Sequence, residues 1–528
     1  MSRRGVAAAA ILAAWVAGLG MLAHRELFRA PADRLADAAM RVTPGASFYT
    51  VDQGGEQIGF WSSTIDTLPV TDSTPAAIEV TDYLVADLPI GGRLQRASAQ
   101  SRVRLSRALK LTEFEVGITA EQGPIRVTGH PEGDTALVYA VKSGDEPPDT
   151  QRVTVRGPIL MPTLVPLTVA LGETPKVGKR YSLSVFSPLS MGPQNVTLAV
   201  RAESLFVLTD SAAFDTTSRR WRPAKTDSVR AWLIAAENGN PSGAGFSGWV
   251  DEQGRIVQAT QLAALNLTLK RTAYELAFEN WRLAQRDSAG RGVSADRDIL
   301  ETTAIAASAP LRTRGTRRLM VRLGNVDLGG YDLEGGRQRL AGKVLTVGVE
   351  PESLLRAAYR LPADAAHRKR FAAELAAEPL LQTGHPDIAL LALRIAGQEH
   401  DPRVLAQRIN RWVHDSLKKA ITFGVPNALQ VLHARAGDCN EHTQLFTALA
   451  RALGLPTRTA AGLVYLRGKF YYHAWPEVYL GDWVAVDPTL GQFPADAAHL
   501  RFVLGGLQRQ AELLRLIGNL KIDVVEER

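Results

Sequence analysis

Residues 435–456 read RAGDCNEHTQLFTALARALGLP, a stretch that predicts a loop entering a helix. Gly437 and Asp438 supply the turn and the helix cap, and Gly454 and Pro456 end the helix. Apolar residues recur between them at helical spacing and form one stripe, made of Leu445, Phe446, Leu449 and Leu453. The sequence therefore predicts a helix with one buried face and a defined first turn.

Cys439 falls in that first turn and is the one cysteine of the chain, so no intramolecular disulfide can form. The positive end of the helix dipole and the free N–H groups there favour a thiolate and are expected to lower the pKa of the thiol. The backbone N–H of Cys439 is also free to donate to an oxyanion. An inert cysteine would more naturally lie on the apolar stripe further along the helix. The position therefore indicates a nucleophile.

Two strands joined by a short loop are predicted at residues 471–480 and 483–488. The first strand carries His473, and the second ends near Asp487. The two side chains share a face and are diagonal neighbours if the loop holds three residues, 480–482. A two-residue turn would put them on opposite faces unless a bulge intervened. A triad therefore requires the three-residue loop.

The ordered motifs Gly-Asp-Cys, His-Ala-Trp and Trp-Val-Ala-Val-Asp-Pro resemble those of the bacterial transglutaminase-like superfamily, which is related to papain-like cysteine proteases. The resemblance covers residues 401–500. It implies a triad in which Cys439 attacks an amide carbonyl, His473 takes and returns the proton, and Asp487 orients the imidazole. It implies acyl transfer to an amine or hydrolysis of an amide or peptide, without a cofactor or metal. The motifs do not specify the acceptor.

A second oxyanion donor is not assigned by these motifs. Papain-like enzymes carry a glutamine six residues before the cysteine, whereas this chain has His433 there. Gln430 and Asn427 lie further upstream, and the tryptophan that the larger animal transglutaminases use has no matching residue.

The residues around the cysteine also allow other interpretations. Glu441 and His442 are interpreted as cap and surface residues of the cysteine helix. A zinc site formed by Cys439, His442 and His473 is an alternative, because zinc accepts nitrogen and sulfur ligands. Nucleophilic catalysis explains Asp487 and the helix-start cysteine better.

The chain upstream of the motifs alternates apolar and polar residues from about Phe48 to Leu269, which predicts half-buried antiparallel strands. Helical periodicity begins at Pro351. We therefore predict a β-rich domain of unknown role at 45–349 and a transglutaminase-like catalytic domain at 350–528. The predicted fold class is α+β, with an antiparallel β-rich N-terminal region, a papain-like/transglutaminase-like C-terminal domain and one N-terminal transmembrane helix.

The N-terminus predicts a membrane anchor or signal segment at 1–28. An apolar run at 5–23 follows two arginines and approaches the roughly 20 residues that span a bilayer. An uncleaved anchor is preferred over a cleaved signal peptide, because Met21 poorly matches the small-residue rule before a cut at Ala23. The soluble part would then lie outside the cytoplasm, in the periplasm or the extracellular space.

The composition excludes a disordered chain, since 45% of the residues are hydrophobic and 22% charged. The net charge of +7 is spread along the whole chain, so no nucleic-acid partner is predicted. The sequence thus predicts an exported, membrane-anchored cysteine enzyme acting on a protein or peptide, with cell-wall peptide as one candidate substrate. The alternative is a non-catalytic binding module of the same fold.

Overall fold

A computed structural model describes residues 42–528 except for a set of gaps. The gaps are 69–76, 108, 121–122, 145–146, 156, 173, 188–191, 238–246, 262–266, 289–297, 313–314, 352–354, 356, 358, 379, 421–426, 511, 514–515 and 517.

The first half of the described chain forms one fifteen-stranded sheet, in which β9 and β10 pair in parallel and the other neighbours pair antiparallel. Its strands are β1 (Gly45–Gln53), β2 (Glu56–Leu68), β3 (Ala77–Ile90), β4 (Arg93–Ser106), β5 (Leu111–Ala120), β6 (Gly123–Glu132), β7 (Ala136–Ser143), β8 (Asp149–Thr154), β9 (Ile159–Leu160), β10 (Arg180–Ser187), β11 (Gly192–Asp215), β12 (Arg220–Ala236), β13 (Ser247–Asp251), β14 (Ile256–Gln261) and β15 (Leu267–Thr272). Within β1 to β8 and within β9 to β15, each strand pairs with the next one along the chain. The two groups join where β1 pairs with β15.

The sheet curls around its apolar face. Tyr139 on β7 and Phe186 on β10 lie near opposite ends of the strand order, yet their ring centroids are 5.0 Å apart. Both residues belong to one buried cluster with Val103 and Leu105 of β4 and with helix α1 (Val165–Gly172). Alternate side chains of β4, including Val103 and Leu105, belong to this core, as expected for a sheet with one solvent-exposed face.

The rest of the described chain combines helices with smaller sheets. A 3₁₀ turn at Pro162–Leu164 precedes α1, and a π-helix lies at Glu275–Glu279. The later helices are α2 (Asn280–Ser288), α3 (Ile299–Thr303), α4 (Ala365–Arg370), α5 (Ala372–Leu375), α6 (Pro386–Ala396), α7 (Pro402–Ser416), α8 (Ala428–Ala434), α9 (Cys439–Ala452) and α10 (Leu507–Gln510). The later strands are β16 (Ile305–Ala306), β17 (Arg318–Gly324), β18 (Gln338–Ala341), β19 (Val344–Gly348), β20 (Lys418–Lys419), β21 (Ala436–Gly437), β22 (Thr457–Leu466), β23 (Lys469–Tyr479), β24 (Trp483–Ala485), β25 (His499–Leu504) and β26 (Lys521–Glu527).

Three sheets organise this part of the molecule. One has the order β16-β23-β22-β25, with β24 paired to β23. A second has the order β18-β19-β17-β26, and β20 pairs with β21. Helix α9 packs against β23 and β22 on one side and against α6, α7 and α8 on the other. The cysteine helix is therefore held between a sheet and a helical layer.

The predicted α+β class is wrong, because strands make up 51% of the structure and helices 21%. The fifteen-stranded sheet contributes much of the excess of strand over helix, and the part after residue 350 contains further strands. Strand β22 is buried along almost its whole length, so its sequence lacks the alternation that marks a half-buried strand. Such a strand cannot be distinguished from a buried helix by periodicity.

The division near residue 350 stays a prediction. Strands β17, β18 and β19 precede that point, but β17 pairs with β26 at the far end of the chain. Their apolar side chains share a core with β22, β23 and β25. These contacts join residues on both sides of position 350 in one core.

The described residues contain no helix that is long and apolar enough to cross a membrane. This finding contradicts the predicted transmembrane helix and the single-pass, membrane-anchored localisation. The segment 1–28, on which that prediction rested, lies outside the described residues.

A buried ion pair links three segments next to β22. Arg501 on β25 is 2% exposed, and its Nη1 lies 3.1 Å from Glu477 Oε1 on β23. The same guanidinium donates to the carbonyls of Asp332 and Glu334, and Arg458 on β22 also donates to Glu477. Burial would raise the pKa of Glu477, but the charges of the two arginines outweigh burial and lower it. Glu477 therefore stays ionised in the interior.

We expect Arg501→Met to lower the free energy of unfolding by about 3–5 kcal/mol, because buried Glu477 then loses one of its two arginine partners and the carbonyls of Asp332 and Glu334 lose their donor. The matched control is Arg411→Met, which removes an exposed pair to Asp415 and should cost less than about 1 kcal/mol. Urea unfolding of both variants measures the difference, and equal losses would contradict the role of Arg501. In the wild type this stabilisation should fade as the pH falls below about 4, since the folded pKa of Glu477 is lowered.

Candidate active site

Helix α9 begins at Cys439 and is closed at its start by a capping box. The carboxylate of Asp438 accepts from the N–H of Asn440 at 2.8 Å, and Glu441 Oε2 accepts from the N–H of Asp438 at 2.9 Å. Gly437 permits this arrangement, because a Cβ there would lie 2.2 Å from the Cβ of Glu441. The Gly-Asp-Cys motif therefore fixes the first turn that carries the thiol.

The hairpin of β23 and β24 has the three-residue loop that the triad requires. Tyr479 pairs with Trp483, so residues 480–482 form the loop. His473 is buried on β23, and Asp487 lies two residues beyond the end of β24. His473 Nε2 lies 2.8 Å from Asp487 Oδ2. Because a carboxylate only accepts, this contact assigns the Nε2 proton to His473 and leaves Nδ1 as the second ring nitrogen.

The thiol lies beside the same strand. The backbone N–H of Ala474, the residue after His473, donates to the sulfur of Cys439, and the charge of Asp487 is close enough to act on the thiol. Cys439 is partly exposed as a residue, whereas His473 and Asp487 are buried. The structure thus places the three predicted residues in one region, at the start of α9 and beside the middle of β23.

A second histidine lies at the site and was not predicted from the sequence. His499, the first residue of β25, is fully buried, with Nε2 3.0 Å from Asp487 Oδ2 and Nδ1 3.0 Å from Asp496 Oδ1. An aspartate three residues before a histidine is a weak signal, and the contact with Asp487 depends on long-range strand pairing. His499 therefore extends the His473–Asp487 pair into a buried chain of four charged or polar groups.

Burial and charge act in opposite directions on this chain. Burial would raise the pKa of Asp487, but the charge and hydrogen bond of His473 and the hydrogen bond of His499 hold it far below its usual range. Burial would lower the pKa of His499, but Asp487 and Asp496 raise it to about 9. Asp487 is thus ionised and His499 protonated at neutral pH.

The electrostatics of the thiol differ from the sequence-based expectation. Burial raises the pKa of Cys439 well above its usual value, and the nearby charges of Asp438 and Glu441 raise it further. The N–H of Ala474 lowers it, but by less. The expected lowering by the helix dipole is therefore outweighed, and the resting thiol is protonated at neutral pH.

Glu441 and His442 were interpreted from the sequence as cap and surface residues of the cysteine helix. Glu441 does cap the helix, but it is buried. His442 is also fully buried, and its Nδ1 lies 2.6 Å from the carbonyl oxygen of Asp438. Neither residue is a surface group.

Three residues whose side chains can bind metal ions lie close together at the candidate site. His473, Asp487 and His499 place their ligand atoms within 4.8 Å of one another. Both imidazoles are already at hydrogen-bond distance from the same oxygen of Asp487, so a metal ion would have to displace these bonds. The zinc set considered from sequence included His442, whose Nδ1 is bound to the backbone.

The upstream oxyanion candidates lie elsewhere. His433 contacts Asp387 on the surface at 3.3 Å. Asn427 caps α8 by accepting from the N–H of Gln430 at 2.9 Å. The backbone N–H of Cys439, the other donor expected from the sequence, lies at the start of α9.

We expect the double variant Asp438→Asn/Glu441→Gln to lower the titration midpoint of Cys439 by about one to two pH units, because the helix dipole then acts without the two carboxylates. Asparagine and glutamine preserve the caps, so the free energy of unfolding should change little. The ultraviolet absorbance of the thiolate measures the titration directly in a chain with one cysteine. An unchanged or higher midpoint would contradict this account of the thiol.

Solved structures with some likeness to the chain are distant. A candidate cysteine protease from Cytophaga hutchinsonii is 14% identical over 40% of this chain and 86% of that chain, with a TM-score of 0.26. A beta-barrel-like protein of a domain of unknown function from Brucella abortus is 12% identical over 44% of this chain and 96% of that chain, with a TM-score of 0.28. The periplasmic domain of TgpA from Pseudomonas aeruginosa, bound to ethylmercury, is 20% identical over 34% of this chain and 75% of that chain, with a TM-score of 0.23. No curated protein sequence matches significantly.

A protein-family model matches one segment of the chain. The family model of the transglutaminase-like superfamily matches residues 390–488, a range that contains Cys439, His473 and Asp487. This match confirms the resemblance seen in the motifs. Residues 390–488 therefore make up a transglutaminase-like domain.

Proposed function

We propose that this protein is a cysteine-nucleophile enzyme that attacks an amide or peptide carbonyl through Cys439, His473 and Asp487. The observation that carries the proposal is the buried 2.8 Å contact between His473 and Asp487, with Cys439 at the start of a helix beside the same strand. Nucleophile, base and orienting carboxylate in this order are the components of covalent acyl transfer.

The proton assignment supports a defined role for each ring nitrogen of His473. Its Nε2–H donates to Asp487, so Nδ1 is the atom that takes a proton from the thiol. Because the pKa of Cys439 is raised, the thiol keeps its proton until the attack. Transfer from sulfur to Nδ1 therefore accompanies formation of the bond between sulfur and the carbonyl carbon.

The reaction then proceeds in two balanced stages. As the carbon–nitrogen bond of the substrate breaks, Nδ1–H of His473 protonates the leaving amine and an acyl-thioester remains on Cys439. Water or a second amine then attacks the thioester and gives a proton to Nδ1. As the carbon–sulfur bond breaks, Nδ1–H returns that proton to the sulfur of Cys439, and the acid or the new amide is released. The acceptor distinguishes a hydrolase from a transferase.

The oxyanion formed in each stage needs a donor close to the sulfur. The backbone N–H of Cys439 lies at the amino end of α9, where free N–H groups and the dipole favour negative charge. One such donor is typically worth about 3–4 kcal/mol of transition-state stabilisation. This supports Cys439 as both the nucleophile and a source of oxyanion stabilisation.

The substrate class that fits this chemistry is a protein or peptide amide. We propose no cofactor, since the triad supplies the nucleophile, the base and the carboxylate itself. The binding-module alternative predicts an intact fold whose thiol has no enhanced reactivity.

Alkylation of the thiol tests the proposed base. At neutral pH, we expect iodoacetamide to label the wild type about tenfold or more faster than His473→Ala, because the imidazole no longer accepts the proton. The blank is Cys439→Ala, and the matched control is His400→Ala, whose ring contacts the carbonyl of Leu361 away from the thiol. Equal rates for the wild type and His473→Ala would overturn the assigned base.

Turnover tests the reaction itself. A peptide library incubated with the wild type, with and without a primary amine, should yield acid in a hydrolase and amine incorporation in a transferase. In Cys439→Ala we expect kcat/KM to fall by about 10³-fold or more, because the covalent route is lost. A reactive thiol without turnover on any amide would favour the binding module.

A further inference from the structure

We propose that His499 is a positioning residue of this site, a permanent imidazolium that holds Asp487 in place and offsets its negative charge. This inference rests on the proposed function of the triad. It adds two residues, His499 and Asp496, to the machinery around His473.

The geometry requires two protons on the ring of His499. Its Nε2 lies 3.0 Å from Asp487 Oδ2, and its Nδ1 lies 3.0 Å from Asp496 Oδ1. Ionised carboxylates only accept hydrogen bonds, and a neutral imidazole has one N–H to donate. A neutral ring would therefore direct a lone pair at one of two buried carboxylates, at a cost that the imidazolium avoids.

The second carboxylate is itself held in place. Asp496 Oδ2 accepts from Gln492 Nε2 at 3.0 Å, and its Oδ1 accepts from the N–H of Ala498 at 3.1 Å. Burial would raise the pKa of Asp496, but the hydrogen bond and charge of His499 outweigh burial and lower it. His499 thus lies between two ionised and fixed acceptors, which agrees with its raised pKa of about 9.

Other groups around the ring do not replace this cation. The ring of His473 lies 5.8 Å from that of His499, centroid to centroid, and Trp475 faces it edge-on at 5.2 Å. Arg337 approaches from the β18 side, but its guanidinium donates to the carbonyls of Ala495 and Asp496 and pairs with Glu350. Arg337 therefore does not contact Asp487, and His499 is the group that can place a positive charge against this carboxylate.

The consequence for the thiol of Cys439 is electrostatic. Asp487 shares one oxygen, Oδ2, between the N–H groups of two imidazoles, so part of its charge is already offset by His499. Without that cation, the charge of Asp487, which already raises the pKa of Cys439, would be less offset. Extra negative charge opposes loss of a proton from Cys439. This effect shifts the reaction of the thiol to higher pH.

The test is the pH profile of iodoacetamide labelling of Cys439 in the wild type, His499→Gln and His400→Gln. Glutamine keeps one N–H donor toward Asp487 but removes the charge. We expect the ascending limb to move up by about one to two pH units in His499→Gln, as for a unit charge removed at about 6 Å, and to stay in place in His400→Gln. A purely structural role would change the amplitude or the thermal stability and leave the limb where it is.

The outcomes separate this inference from the proposed function. If the wild type and His473→Ala react alike, the proposed triad fails. If those two differ while His499→Gln follows the wild-type profile, the role of His499 fails alone. If His499→Gln does not fold, side-chain ¹⁵N spectra of wild-type histidines decide the matter. Two protonated nitrogens on His499 at pH 8 support the inference, and a neutral ring at that pH overturns it.

Discussion

The carboxylate of Asp487 is the constraint on which the candidate site depends. It is fully buried, and it accepts from the N–H groups of Thr489 and Leu490 at Oδ1 and from His473 and His499 at Oδ2. A buried carboxylate costs several kcal/mol unless its lone pairs are satisfied. These four bonds therefore fix the loop after β24, the middle of β23 and the start of β25 relative to one another.

Small residues in β22 allow the two histidines to approach Asp487 from different strands. In the sheet, β22 lies between β23, which carries His473, and β25, which begins with His499. Gly462 on β22 pairs with His473, and a Cβ at Gly462 would lie 2.0 Å from the carbonyl oxygen of Leu500. The glycine thus permits close contact between β22 and β25, and it leaves room beside His473. A strand interior normally disfavours glycine, so this position reflects close backbone approach.

Short-range constraints explain what could be predicted from the sequence. The cap before Cys439 follows from adjacent residues, and the shared face of His473 and Asp487 follows from the number of residues in one loop. His499 could not be found in this way, because its contact requires β25 to pair with β22, and a single sequence does not specify that register. The fold class was missed for a related reason, since strands buried on both faces, such as β22, have no period-two pattern.

The electrostatics of the thiol suggest why a buried chain of charges accompanies it. The helix dipole at Cys439 favours a thiolate, but Asp438 and Glu441, which are needed to close the helix start, oppose it, and burial opposes it more strongly. In the proposed mechanism, Cys439 therefore cannot rely on a low pKa and depends on a base held at a fixed distance and in one tautomer. The hydrogen bond from His473 to Asp487 supplies that tautomer. In the proposed mechanism, the same capping carboxylates that order Cys439 thus increase the dependence of its reactivity on the orientation of His473.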